Sequence, residues 1–140
     1  MEREPASGTG EPNRSSVRRI RVLLVDDHPL VRDGIARLLR EEPDIAIVGK
    51  APDGKVALDI IRETNPDVVV MDVDMPVLDG IAATQLIRAA APHIRVIGLS
   101  MFEESIEGEA IRGAGAIAYL AKSGPTRALV DAIRACVVSQ

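Results

Sequence analysis

The chain has 140 residues, 46% of them apolar and 27% charged, with a formal net charge of −4. That length supports one domain around a single core, and the composition is that of an ordinary globular protein rather than a fibrous or low-complexity chain. The acidic balance speaks against a nucleic-acid-binding surface, the one cysteine, Cys136, excludes an internal disulfide or a multi-cysteine metal site, and no apolar run reaches the ~20 residues of a membrane helix.

Residues 1–17 are rich in Gly, Pro, Ser and charge and read as a disordered tail or linker. The same stretch is too polar for a secretory signal, so a cytoplasmic location is the default expectation. From residue 18 to 140 the pattern is that of a folded domain. An apolar, β-branched run, Ile20–Val25, predicts the first strand, and it ends in the pair Asp26-Asp27. A helix is predicted over Leu30–Glu41, with Val31, Ile35, Leu38 and Leu39 on its apolar face and Pro29 suited to its first turn. The second strand is expected at Ile45–Gly49. The second helix is expected at about 54–64, capped by Asp53, with Val56, Ile60 and Ile61 inward.

The third strand, Asp67–Met71, leads into Asp72. The third helix, about 80–91, starts from Asp79, turns Ile81, Leu86 and Ile87 to the core and stops before Pro92. The fourth strand, Arg95–Leu99, ends at Ser100. The helix after it, about 103–113, carries Glu103, Glu104, Glu107 and Glu109 and is the weakest of the set. The last strand, Ile117–Leu120, leads to Lys122, and a final helix over about 126–138 aligns Leu129, Ile133 and Val137, with Cys136 on its apolar side. Strand and helix alternate five times. That implies an α/β fold with a parallel sheet and helices on both faces, joined by right-handed crossovers. The strands are continuously apolar, as they must be when both faces are covered.

Four of the five strand runs therefore end in Asp26-Asp27, Asp72, Ser100 or Lys122. In an open α/β sheet ligands bind at the carboxyl ends of the strands. Each residue alone has a bland explanation. An Asp pair after a strand is often a loop or cap element, Asp72 could be a turn residue, and Ser100 or Lys122 alone says little. Together they put three carboxylates, a hydroxyl and an ammonium into one crevice. At about 4 Å and an effective dielectric of about 20, each like-charge carboxylate pair costs roughly 4 kcal/mol. Protonation or a hard cation must offset that, and Mg²⁺, which takes carboxylate, water and phosphate oxygens, suits the set better than zinc. A carboxylate is also a competent nucleophile toward phosphorus, and phosphoryl transfer needs mainly positioning and charge neutralisation. The residues thus read as a site for metal-assisted phosphorylation of a carboxylate. His28 reads as a solvent-facing helix-start residue rather than as a ligand, the other reading its type allows, His93 as a loop residue with no evident partner, and Asp59 and Asp131 as solvated helix faces.

The motifs LLVDDHPLVRDGI, PDVVVMDVDMPVLDGI, GLS and GAIAYLAKS, spread over Ile20 to Val137, resemble the receiver domain of two-component response regulators. The resemblance makes residues 18–140 the receiver domain. It implies a flavodoxin-like, doubly wound five-stranded sheet of order 2-1-3-4-5. It also implies that Asp72 is the phospho-acceptor and that Asp27 and Asp72 bind Mg²⁺ directly. Asp26 would assist, and the backbone carbonyl of Asp74 would complete the protein ligands. Ser100 and Lys122 would grip the phosphoryl group, and Ser100 and Tyr119 would form the switch. The donor would be a histidine kinase or a phosphotransfer domain, and the domain would catalyse its own phosphorylation and dephosphorylation without being an enzyme on external substrates. The DDHPLVR start resembles the subfamily often fused to a helix-turn-helix DNA-binding domain. Three positions depart from the usual pattern. Lys122 is followed by Ser123 rather than by proline, Met101 stands where a small residue is usual, and Asp74 adds a carboxylate. Met101 and Phe102, directly after Ser100, are expected to limit solvent access to the site.

Other readings remain open at this stage. The chain also reads as the regulatory fragment of a DNA-binding transcription factor, or as the receiver module of a hybrid histidine kinase. A phosphatase with an Asp nucleophile is a third class, distinguished by sustained turnover of an external phosphate ester. Binding of DNA by this segment itself is not expected, because Arg18, Arg19 and Arg21 are too few for counterion release. A homodimer is one assembly open to the chain.

Overall fold

The computed structural model describes residues 18–73, 75, 78–100 and 106–138. Strands β1 (Ile20–Val25), β2 (Ile45–Ala51), β3 (Val68–Asp72), β4 (Arg95–Ser100) and β5 (Ala118–Ala121) alternate with helices α1 (Pro29–Arg40), α2 (Gly54–Thr64), α3 (Gly80–Ala90), α4 (Ile106–Ala114) and α5 (Thr126–Val138). The strands form one parallel sheet of order β2-β1-β3-β4-β5. This is the doubly wound α/β arrangement expected from the sequence.

Successive side chains of a strand point to opposite faces, so each apolar run supplies two layers. Leu23, Val25, Val69, Met71 and Val96 join Ala57, Ile61, Ala83, Ile87 and Ile111 under α2, α3 and α4. Val22, Leu24, Val68, Val70, Ile97 and Leu99 join Ala36, Leu39, Leu129, Ile133 and Cys136 under α1 and α5. All five residues of β3 are buried, as befits the central strand. The β1–β2 register slips once between Val22 and Leu23, where Val22 pairs with Ile47 but Leu23 with Gly49.

The caps follow the expected chemistry. Asp53 and Asp79 accept hydrogen bonds from the backbone N–H groups of Val56 and Ala82, both at N3 of their helices. Pro29 occupies the first helical turn of α1. The inward faces differ from expectation in two helices. In α1, Val31 and Leu38 are 37% and 42% exposed, and Ala36 and Leu39 are the buried pair, flanked by half-buried Ile35. In α3, Leu86 is 47% exposed, while Gly80, Ala83, Thr84 and Ile87 are buried. The reason is geometric. The stripes that meet the sheet run at i, i+3, i+4 and i+7, namely 32, 35, 36 and 39 in α1 and 80, 83, 84 and 87 in α3. Small residues at their centres let each helix lie close, and larger apolar side chains one position off the stripe fall outside it. β1 has the expected bounds, whereas the other four strands end one or two residues past the expected boundaries, so Asp72 and Ser100 are the last residues of β3 and β4 rather than the first beyond them.

Candidate functional site

β1 and β3 are neighbours in the sheet, yet the chain leaves them toward opposite faces. This is the switch point where an open α/β sheet has its crevice. Asp26 continues β1 by one residue, its N–H donating to Ala51 O at 3.0 Å. Its Oδ1 then accepts the N–H of His28 at 2.9 Å, which turns the chain into α1. Arg32, one turn into that helix, donates from its guanidinium to the Asp26 carbonyl at 2.9 Å and holds the corner. On the other side of the crevice the N–H of Lys122 donates to Ser100 O at 2.7 Å, so the ends of β4 and β5 are tied at the level of the site.

The carboxylates meet the ammonium between these anchors. Lys122 Nζ lies 3.1 Å from Asp72 Oδ2 and 3.2 Å from Asp26 Oδ2, with its side chain 12% exposed. Burial alone would pull the lysine pKa down. The Asp72 and Asp26 charges outweigh it and raise the pKa, so Lys122 stays an ammonium. Asp26, Asp72 and Ser100 are all buried. Asp27 is more open and faces the mouth, with His28 Nδ1 at 3.1 Å from its Oδ1. Asp26 Oδ2 and Asp27 Oδ1 are buried oxygens that accept no hydrogen bond among the described residues, and their polar neighbours are the ion-pair contacts just given.

One ligand atom each from Asp26, Asp27, His28 and Asp72 falls within 4.8 Å of all the others. Three carboxylates against one lysine leave this corner short of positive charge, and hard anionic oxygens are the donors that Mg²⁺ takes. The residues therefore fit a divalent cation by the chemistry of their donor set.

The structure thus brings together Asp26, Asp27, Asp72 and Lys122, and places Ser100 at the end of the neighbouring strand. Tyr119 lies on β5 with its ring against the layer under α2, α3 and α4, and its hydroxyl donates to Glu109 Oε2 at 3.0 Å. Asp74, Met101 and Phe102 lie outside the described residues. The Lys122–Ser123 peptide, where the proline departure falls, is trans. Sequence reasoning placed His28 in solvent. Its side chain is 62% exposed, yet its ring nitrogen turns back onto the carboxylates. Its position directly after the Asp pair was the available signal. His93, given no partner by the sequence, meets Asn65 Oδ1 at 3.0 Å, far from the site. Asp59 and Asp131 are exposed, as expected, and each faces an arginine on its own helix. No helix among the described residues is long and apolar enough to cross a membrane.

Residues 22–134 match the sequence profile of the response regulator receiver domain. Response regulator GacA of Pseudomonas viridiflava is 40% identical over 121 residues, covering 86% of this chain and 56% of that protein. Transcriptional regulatory protein LiaR of Bacillus subtilis is 40% identical over 116 residues, covering 83% of this chain and 55% of that protein. The chain spans about half the length of these curated relatives. Among solved structures, the signal receiver domain of NarL from Mycobacterium tuberculosis superposes with a TM-score of 0.82 at 32% identity, covering 88% of this chain and 99% of that one.

Proposed function

The chain belongs to the response regulator receiver family, and from that premise we propose that it is a signalling switch in which Asp72 takes a phosphoryl group from the phosphohistidine of a histidine kinase or phosphotransfer domain. The clustered Asp26, Asp27, His28 and Asp72 are consistent with the phospho-accepting site of such domains. They support self-phosphorylation and dephosphorylation rather than turnover of external substrates. The observation that carries the reading is the pairing of Asp72 with Lys122 beside Asp26 and Asp27 at the sheet's switch point.

In the transfer, an Asp72 carboxylate oxygen attacks phosphorus. The N–P bond of the donor breaks and its electron pair stays on the imidazole, giving an aspartyl phosphate. Hydrolysis by water then cleaves the new O–P bond and releases inorganic phosphate. Lys122, fixed by burial and by Asp26, supplies a point charge for a phosphoryl oxygen once Asp72 is esterified. The Ser100 hydroxyl, at the end of the neighbouring strand, is the candidate donor to another. A Mg²⁺ ion held by Asp27 and Asp72 with help from Asp26 would neutralise charge on the transferring group. The Asp74 carbonyl is the remaining proposed ligand, Tyr119 with Ser100 the proposed switch, and Met101 with Phe102 the proposed limit on solvent access.

Incubation with a small phosphodonor and Mg²⁺ should add one phosphoryl mass to the chain, and Asp72→Asn should lose it. An undiminished adduct in that variant refutes the assignment. Control of transcription is the second reading, favoured by the likeness to LiaR, a transcriptional regulatory protein. It predicts that the native reading frame joins this domain to a DNA-binding one, whereas a hybrid kinase predicts a kinase core.

A further inference from the structure

Resting on that reading of the site, we infer that Arg32 is a positioning residue of the cation corner: by fixing the backbone that carries Asp27, it sets how tightly the site holds Mg²⁺. Asp27 does little to fix itself. Among the described residues its only polar contact is the exposed His28 ring, 3.1 Å from Oδ1. That oxygen is buried and accepts no hydrogen bond among the described residues. The direction of this carboxylate is therefore inherited from the residues on either side of it.

Arg32 grips both neighbours. Its Nη1 donates to the Asp26 carbonyl at 2.9 Å, and its backbone N–H donates to the His28 carbonyl at 2.9 Å. The Asp26 carbonyl belongs to the planar peptide that joins Asp26 to Asp27, so the guanidinium fixes the plane from which Asp27 springs. The remaining groups of the corner are tied elsewhere, the Asp26 N–H to Ala51 O and the His28 N–H to Asp26 Oδ1. Arg32 is half-buried, and its Nε is buried with no hydrogen-bond partner among the described residues. A guanidinium with no task would keep that donor in water. Here it is drawn in under the corner. The three carboxylates repel one another before an ion arrives. An unsupported corner would let Asp27 swing out to water, and ion binding would have to bring it back. A corner already held removes that ordering cost, which matters for an ion as demanding of ligand geometry as Mg²⁺.

Calorimetric titration with Mg²⁺ tests this in wild type, Arg32→Lys, Arg32→Met and Asp27→Asn, each first checked for cooperative melting. Arg32→Met should weaken Mg²⁺ binding about tenfold or more, the usual loss when an outer partner of a metal ligand is removed. Arg32→Lys keeps a cationic donor and should recover most of that loss. With a small phosphodonor, the Mg²⁺ concentration for half-maximal phosphorylation of Arg32→Met should rise about tenfold, while the rate at saturating Mg²⁺ stays within about twofold of wild type. A loss of fold stability alone moves neither the affinity of the folded chain nor that midpoint. Unchanged Mg²⁺ affinity in folded Arg32→Met, or the tighter binding expected if the guanidinium merely repels the ion, overturns the positioning role and leaves the receiver site standing. Should Arg32→Met not fold, Arg32→Gln, with a shorter polar end, carries the same expectation and the same refutation. Undiminished Mg²⁺ binding in Asp27→Asn overturns the site reading itself, and the role of Arg32 with it.

Discussion

Lys122 Nζ bridges two carboxylates from different strands, Asp72 Oδ2 at 3.1 Å and Asp26 Oδ2 at 3.2 Å. One ammonium thus ties the edge strand β5 to the central pair β1 and β3 across the mouth of the sheet. The bond is local in space and 96 residues long in sequence on its Asp26 side.

Removing that ammonium takes from two buried carboxylates the lysine charge that both face. Breaking a buried ion pair from one side costs about 3 kcal/mol or more. Lys122→Met should therefore lower stability by about that amount in metal-free buffer at neutral pH, and added Mg²⁺ should restore part of the loss. Chemical denaturation with and without the ion measures both. Equal stability of wild type and variant in metal-free buffer would show that the pair is not structural.

Mg²⁺ should stabilise the fold through Asp27. At an ion concentration about 100 times its dissociation constant the gain is about 2.7 kcal/mol. Asp27→Ala removes one repelling carboxylate, so its metal-free stability should match or exceed that of wild type while its Mg²⁺-dependent gain shrinks. Melting curves for both proteins with and without Mg²⁺ decide it, and an equal gain in both refutes it.

Gly80 opens α3 directly beneath the carbonyl of Asp72, where an added Cβ would collide with that backbone oxygen and with Val73 Cα. Backbone cannot yield as a side chain does. Gly80→Ala should cost about 1–3 kcal/mol and, by shifting the end of β3, slow phosphorylation of Asp72. A variant with unchanged melting point and unchanged adduct formation would contradict both halves.

Arg134 on α5 donates from Nε and Nη2 to the two oxygens of Asp44 at 2.8 and 2.9 Å, and from Nη2 to Glu42 at 2.7 Å. Hydrogen bonds from that guanidinium hold the Asp44 carboxyl below its ordinary range. The folded value is lowered, so the contribution is fully present above the unfolded carboxylate value of about 3.9. It fades as pH falls through the folded value. Both side chains are about a third exposed, which keeps the effect modest. The stability difference between wild type and Asp44→Asn should be constant near neutrality and shrink in acid below about pH 4. A difference that grows on acidification would reverse the sign.

Cys136 lies fully buried on the inward face of α5, and burial pushes its thiol up to about 11. A thiol reagent at pH 8 should leave it unmodified in the native chain and label it after denaturation. Prompt native labelling would show that the face of α5 against the sheet opens.

Sequence by itself determined the strand–helix alternation, the doubly wound class, and the four strand ends that bring Asp26-Asp27, Asp72, Ser100 and Lys122 to one edge of the sheet. Each of these is written in local periodicity. A continuous apolar run must be a doubly covered strand, and the residue that ends it must emerge at the sheet's edge. Asp53 and Asp79 were legible as caps for the same local reason. Tertiary structure alone decided the rest. It selected Ala36 over Leu38 and Ala83 over Leu86 as contacts with the sheet, because packing chooses by angle and closeness rather than by side-chain size. The fold gave Lys122 both Asp72 and Asp26 as partners, since strand order and register set which strand ends are neighbours. It also turned His28 back onto the carboxylates and closed Arg134 on Asp44, 90 residues away. Contacts between distant segments leave no period in a sequence, and they exist only once the sheet has fixed where each loop begins.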